Sequence, residues 1–474
     1  MVKKKPTIKL KLNYRIIDVR IKPTLAKGTR DFNSQEVAKR NYITHIIKDW
    51  FTKFGFNPIE TPSFENSETL LGKYGEEGDR LIFKILRSGD FLKKVAKEDY
   101  EEKNLSRIAS AISDKALRYD LTVPFARYVV QNQNDLVFPF KRYQMQPVWR
   151  ADRPQKGRYR EFNQCDADVI GSKSLWQEVE FVQLYDAVFS ELGVPVHIQI
   201  NNRKILSGIA EVIQAEDKLI DFTVALDKLD KIGEERVKKE MLERGISKSA
   251  IETIQPLFEG GKSAEEDLQL LRNLLKESKI GLEGVSELEY VVQQVKVLGL
   301  NQSTLEVNIT LARGLDYYTG IIYEVAAPKE VGLGSIGGGG RYDDLTGIFG
   351  MKEMSGVGIS FGLDRIYLAL EELDLFPEAV LKGTQVLFIN FGESEAVYSM
   401  KAISKLRQNG IRAEMYPDAG KMGRQMTYAD RKNIPFVVLC GTKEIEQQSY
   451  TLKNMESGEQ YSMTFEKLLA HLQQ

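Results

Sequence analysis

From Arg158 to Asp168 the sequence reads RYREFNQCDAD, and the residues it places at every second position restrict what this chain can build. Successive side chains of a β-strand point to opposite faces, with about 6.6 Å between alternate ones. In a strand, Arg158, Arg160, Phe162, Gln164, Asp166 and Asp168 are therefore expected on one face. Along that face lie anion-binding cations, an aromatic plane, an amide and finally carboxylates able to accept from an amine or a ring N–H. A solvated strand edge of mixed charge is the simpler alternative, and the neighbouring segments argue against it.

Arg150 stands across the polar loop ADRPQKG, which is too long for a tight turn and of the kind that meets a partner. In LRYDLTVP, read as a strand, Asp120 and Thr122 share a face, and LEVNITLARGLDYYTG delivers Arg313 at the end of an alternating strand, followed by Tyr317 and Tyr318. The run GVGISFGLDR sets Gly356, Gly358, Ser360 and Gly362 on one strand face and Arg365 in the first turn of the next helix. Glycine weakens a strand and marks close approach by another group, and a helix N-terminus with an added Arg suits phosphate. GSIGGGGRYDD has neither the GxGxxG spacing before a helix nor a GK[ST] ending, so it is not a dinucleotide or P-loop signature. Its glycines are expected to let backbone line a narrow pocket with Tyr342 at the edge.

Around these segments, Asn33 to Glu36 has the pattern of a capping box, and Ile43, Ile46, Ile47, Trp50, Phe51 and Phe54 keep helical spacing up to Gly55. In FNPIETPSFE the two prolines belong to an extended edge or interface segment. Antiparallel strands are expected from there to about Asn201, with a helix from Trp176 to Leu192, and residues 217–303 read as a mostly helical insertion. From Thr384 onward strands and helices alternate with short connections, which predicts a small α/β unit with a largely parallel sheet. At 474 residues and 42% hydrophobic content the chain is long enough for about three domains. A net charge of −1 argues against a wholly basic nucleic-acid binder but allows patches, and 141–160 is one, with seven Lys or Arg against one Asp. Two distant cysteines and no 18-residue apolar run predict a reduced, cytoplasmic protein without zinc, disulfide or membrane span.

Together these segments resemble the class II aminoacyl-tRNA synthetases. The first helix with FNPIETPSFE corresponds to motif 1, FKRYQMQPVWRADRPQKGRYREFNQCDADV to motif 2 and GVGISFGLDRIYLAL to motif 3, while ARGLDYYTG and GGGGRYD narrow the likeness to the histidyl-tRNA synthetase family. The resemblance covers roughly residues 24–474. It implies an α+β fold: an N-terminal extension (1–23), an antiparallel-sheet catalytic core (24–216 and 304–380), the helical insertion (217–303) and an α/β anticodon-binding domain (384–474).

What it implies for function is ATP-dependent ligation of L-histidine to tRNA(His) through a histidyl-adenylate, with ATP accompanied by Mg²⁺. Residue by residue, Arg150 contacts the α-phosphate, Arg158 the γ-phosphate, Phe162 stacks on adenine, and Arg365 covers the other adenine face and reaches the triphosphate. The histidine ammonium falls to Asp120, Thr122 and Gln164, and the imidazole to Asp168 and Tyr318, with Tyr317 and Tyr342 completing that pocket and Asp166 helping to shape it. Arg313 bridges the substrate carboxylate and the α-phosphate, and is with Arg150 the catalytic pair; Arg153 and Gln155 meet the tRNA acceptor stem. A homodimer through motif 1 is implied too. The family often has Glu where Asp168 stands.

The competing reading is a non-catalytic, histidine-sensing regulatory subunit of ATP phosphoribosyltransferase; such relatives lack the C-terminal domain and have eroded ATP-binding arginines, whereas Arg150, Arg158, Arg313 and Arg365 are all present here. Prolyl and threonyl enzymes lack ARGLDYYTG and GGGGRYD. A plain nucleotide scaffold leaves Asp120, Gln164 and Asp168 without a purpose. His45, His197 and His471 have no metal or triad partner by spacing and are expected to be structural or superficial.

Overall fold

The computed structural model describes residues 22–259, 263–312, 317–381 and 383–473. The chain divides into two compact units, the first ending at Phe376 and the second running from Pro377. The expected third unit does not separate, because Phe222, Val237, Leu271 and Leu288 of the helical stretch share one hydrophobic cluster with Ile198 and Ile205.

Eight strands form the main sheet: β1 (Asn57–Pro58), β2 (Phe140–Trp149), β3 (Glu161–Ile170), β4 (His197–Asn202), β5 (Thr304–Val307), β6 (Ile321–Ala326), β7 (Ser335–Tyr342) and β8 (Gly356–Gly362). Their order is β1-β2-β3-β8-β7-β6-β4-β5, antiparallel except at the outermost pairs, β1 with β2 and β4 with β5. One face carries the core. Tyr143, Cys165, Ala167, Val357, Ile359 and Phe361 pack there against Ile47 and Phe51 of helix α1 (Ser34–Lys53) and Phe181 and Tyr185 of helix α2 (Trp176–Glu191). Phe361 is the hub, its ring centroid 4.9 Å from Tyr185 and 5.8 Å from Phe51. The opposite face is left for chemistry.

The capping box is formed: Asn33 Oδ1 accepts from the Glu36 N–H at 3.0 Å, and Glu36 Oε2 accepts from the Asn33 N–H at 2.8 Å. The described residues of 217–303 are mostly helical, the last helix being Lys279–Leu298, which crosses the helix Arg203–Val212 closely; a Cβ on Gly208 would lie 2.9 Å from Gly281 N. Two expectations need correction. LRYDLT is not one strand: only Lys115–Leu117 is extended, and Thr122 opens the helix Thr122–Gln131. Pro124 suits a first helical turn, and Asp120 Oδ1 accepts from the Val123 N–H at 3.2 Å, occupying a donor that a helix start leaves over. Likewise β3 begins at Glu161, so Arg158 comes from the preceding loop, where Gly157 has φ +69° and Gln155 bridges to Arg158.

An ion pair ties β7 to α2. Arg341 Nε and Nη2 donate to Glu178 Oε1 and Oε2 at 2.5 and 2.7 Å, and Arg341 Nη1 donates to Ser355 Oγ at 2.5 Å. Both side chains are buried. Removing one partner strands the other charge, so Glu178→Ala is expected to lower the unfolding free energy by about 3–5 kcal/mol, measurable by urea denaturation.

In the second unit the sheet order is Ala413–Met415, Val386–Phe388, Phe436–Leu439, Tyr450–Asn454, Gln460–Met463. It is mixed rather than largely parallel: the first two pairings are parallel and the last two antiparallel. The final hairpin, absent from the sequence reading, makes the difference. Both faces are covered, Val386, Phe388 and Val438 facing one cluster and Leu387, Ile389 and Val437 another. No helix among the described residues is long and apolar enough to cross a membrane.

Candidate active site

Residues directly opposite on neighbouring strands share a face. The register therefore writes the site in rows. Arg142, Asp168, Gly358 and Gly340 form one row across β2, β3, β8 and β7; Gln144, Asp166, Ser360 and Gly338 form the next; Gln146, Gln164 and Gly362 form a third. The glycines leave room for large groups standing on the sheet. A Cβ on Gly356 would overlap the Tyr342 ring, one on Gly340 would lie 2.8 Å from the Tyr318 ring, and one on Gly358 would lie 2.5 Å from the Asp168 carboxyl carbon.

Two depressions lie over these rows. The outer cleft is lined by Arg150, Arg158, Phe162, Gly337, Gly339 and Arg365, the inner chamber by Asp120, Thr122, Asp166, Asp168, Tyr317 and Tyr342. Gln164, Tyr318, Gly338 and Ser360 line both, so the two are continuous. From Phe162 to Asp168 alternate side chains share this face. Arg158 reaches the cleft from its loop instead, and Arg160 turns away, donating from Nε to the Asp152 carbonyl at 3.1 Å. Arg153 and Gln155 are exposed on the loop. Arg313 lies outside the described residues.

Three arginines, Arg150, Arg158 and Arg365, line the cleft together with three acids, Asp152, Glu324 and Asp364. Arg150 is held by a 3.0 Å hydrogen bond from Nε to the Tyr119 carbonyl, and its guanidinium lies 4.3 Å from the Tyr119 ring centroid and 5.2 Å from that of Phe162. Arg365 Nε donates to the Gly157 carbonyl at 3.0 Å and Nη1 to the Ser335 carbonyl at 2.5 Å, joining the loop to the glycine strand. Arg158 is half exposed, its Nε 3.8 Å from Asp152 Oδ1.

The chamber is acidic, and its three aspartates are buried. Asp120 accepts from Tyr74 Oη at 2.8 Å and Tyr317 Oη at 3.0 Å. Asp168 accepts from Tyr342 Oη at 2.6 Å and pairs with Arg142 Nη2 at 2.7 Å. Gln164 Nε2 donates to Ser360 Oγ at 3.0 Å, leaving Gln164 Oε1 without a hydrogen-bond partner among the described residues. Burial raises the carboxyls of Asp120 and Asp168 above their ordinary value, against the pull of these donors. Asp166 goes furthest: burial, with Asp168 and Asp120 adding repulsion and Arg142 and Ser360 resisting, lifts it from 3.8 to about 7.

The sign of its effect on stability follows. Between about pH 4 and 7 the folded chain holds the Asp166 proton that the unfolded chain has released, so this group destabilises the fold increasingly as pH rises through that window. Asp166→Asn removes the titration. In urea unfolding, the stability of wild type relative to the variant is expected to fall from about pH 4 to 7 and then level off.

Arg142 and Tyr74 had no place in the sequence reading. Arg142 was legible as one of the polar alternates Arg142, Gln144 and Gln146 in a buried strand; Tyr74 comes from a distant segment and gave no local signal. His45 is exposed, His197 Nδ1 lies 2.7 Å from Thr304 Oγ1 at the surface, and the His471 ring packs on Phe436. No cluster of three metal-ligating side chains occurs among the described residues, and both cysteines are buried and unpaired.

Comparison with known proteins agrees with this geometry. A family model of histidyl-tRNA synthetase matches residues 101–366, and an anticodon binding domain model matches residues 385–474. The chain is 64% identical over 448 residues to a histidine--tRNA ligase of Christiangramia forsetii, covering 94% of this chain and 98% of that one. It is 62% identical over 466 residues to a histidine--tRNA ligase of Flavobacterium johnsoniae, with 94% and 98% covered. Its fold superimposes with a TM-score of 0.78 on the crystal structure of histidyl-tRNA synthetase from Nostoc sp. PCC 7120, at 31% identity over 96% of this chain and 99% of that one. With the class II sheet, the glycine-floored cleft and both family models in one chain, this protein belongs to the histidyl-tRNA synthetase family.

Proposed function

We propose that this chain ligates L-histidine to tRNA(His) in two steps at one site, first forming histidyl-adenylate from histidine and ATP. The observation that carries the reading is the junction of an arginine-bearing cleft and an acidic chamber across Gln164, Tyr318, Gly338 and Ser360 on one sheet face. Arg150 and Arg158 take the α- and γ-phosphates, Phe162 and Arg365 sandwich the adenine, and Arg365 also reaches the triphosphate. Asp120, Thr122 and Gln164 receive the histidine ammonium. Asp168 and Tyr318 receive the imidazole, with Tyr317 and Tyr342 behind them. Tyr317 acts through Asp120 and Tyr342 through Asp168, each by its hydrogen bond.

The histidine carboxylate is ionised at neutral pH, so its attack on the α-phosphorus needs no general base. A new P–O bond forms, the bond to the β-phosphate oxygen breaks, and pyrophosphate leaves. Catalysis then rests on alignment and on Arg150 and Arg313 neutralising the charge that develops on the α-phosphate. ATP arrives as its Mg²⁺ complex, in which the ion would neutralise part of the phosphate charge. In the second step the terminal ribose hydroxyl of the tRNA attacks the activated carbonyl and AMP departs.

Arg153 and Gln155, exposed on the loop between β2 and β3, face the acceptor stem, and the unit from Pro377 takes the anticodon. That unit has 11 Lys or Arg and 10 acids from Thr384 on, so its grip depends on shape and hydrogen bonds more than on bulk charge. β1 stands at the sheet's outer edge, which suits pairing of α1 and residues 57–62 with a second copy. The intact arginines of the cleft and the added unit speak against a purely regulatory role. Charging purified tRNA(His) with labelled histidine, against the other amino acids, tests the whole: ATP-dependent histidine incorporation is expected, and none, or equal use of other amino acids, refutes it.

A further inference from the structure

The inner chamber contains one cation that none of the roles above uses. Arg142 is fully buried, with a side-chain exposure of 0%, and stands in a row with Asp168, itself 2% exposed. Its Nη2 lies 2.7 Å from Asp168 Oδ2 and donates to the Leu121 carbonyl at 3.3 Å, while its guanidinium carbon sits 4.4 Å from the Phe125 ring centroid. Two features go beyond structural support. Arg142 Nε and Nη1 have no hydrogen-bond partner among the described residues, and neither has Asp166 Oδ1 in the adjacent row, although all three atoms are buried. Such groups are rarely left unmatched unless something else completes them. Asp166 and Asp168 line the chamber together with Asp120, and Arg142 pairs with Asp168 at its edge.

We propose that Arg142 is a specificity-determining positioning residue: it pairs with Asp168 and fixes its carboxylate, so that the chamber presents this acceptor at a set place to the imidazole. This rests on the reading of the chamber as the histidine site. With Arg142 gone, Asp166 and Asp168 are left side by side without that cation, and Asp168 loses one of its two anchors. Arg142 reaches Asp168 through Nη2 while its guanidinium lies over the Phe125 ring, an arrangement an ammonium does not reproduce.

The test is pyrophosphate exchange on the full chain with histidine and ATP varied separately. Arg142→Met is expected to raise KM for histidine about 100-fold while KM for ATP stays within about threefold. Asp166→Asn added to it removes the acid left competing beside Asp168 and is expected to recover about tenfold of the histidine loss. Arg142→Lys is expected to fall between wild type and Arg142→Met. Equal losses for histidine and ATP, or a double variant no better than the single one, overturn the proposal and leave Arg142 a packing residue. Should Arg142→Met fail to fold, the double variant is compared with Asp166→Asn alone, and unchanged histidine use then overturns it. A wild-type chain that exchanges pyrophosphate with no dependence on histidine refutes the functional reading itself, a separate outcome.

Discussion

Gly358→Ala is expected to reduce histidyl-adenylate formation by at least about 100-fold while the protein still folds. The added methyl would stand 2.5 Å from the Asp168 carboxyl carbon and 3.1 Å from the Ala167 carbonyl oxygen. Neither neighbour can yield cheaply. The Ala167 carbonyl belongs to β3, which is paired on both sides, and the Asp168 carboxylate is held at 2.6 Å by Tyr342 and at 2.7 Å by Arg142. Relief therefore comes from swinging Asp168 off Tyr342, which dismantles the imidazole contact, at an overpacking cost of about 1–3 kcal/mol to the fold. Pyrophosphate exchange measures the activity and urea unfolding the stability. Gly347→Ala, where a Cβ meets nothing within 4 Å, serves as the control and should leave exchange unchanged. Near-normal exchange in Gly358→Ala would show that the Asp168 carboxylate is not needed where it stands.

Arg313→Ala should lower adenylate formation by about 10² to 10⁴ and leave stability within about 0.5 kcal/mol. The reasoning here starts from chemistry. Attack of one anion on another needs a cation that touches both, and a single well-placed arginine in nucleotidyl transfer accounts for a factor of that order. The assignment to Arg313 comes from ARGLDYYTG, whose Tyr317 and Tyr318 line the chamber. Single-turnover formation of the adenylate separates the chemical step from binding, and a rate within a few-fold of wild type would remove Arg313 from the mechanism.

Much of the site could be read from alternation alone, because a strand's period of two is rigid. Phe162, Gln164, Asp166 and Asp168 occupy one face for that reason, as do Gly358, Ser360 and Gly362. The rule stops where the strand stops. Arg158 and Thr122 were assigned to strands, yet a loop and a helix start deliver them to the site, so their neighbours are set by turn geometry. Tyr74 and Arg142 are a different case. Their importance lies in pairings across 46 and 26 positions of sequence, with Asp120 and Asp168, and only the folded register brings those partners together. The helical stretch likewise reads correctly as helix, while its merger with the sheet's core depends on tertiary packing that periodicity does not encode.

Gln164 and Tyr318 belong to both depressions, and that shared wall has a thermodynamic meaning. Whichever ligand arrives first immobilises side chains that the other must also contact, so the two occupancies are linked. By reciprocity, the factor by which the amino acid alters the dissociation constant of the nucleotide equals the factor by which the nucleotide alters that of the amino acid. The shared wall thereby makes the site a conjunction: the affinity for neither guest is set without reference to the other.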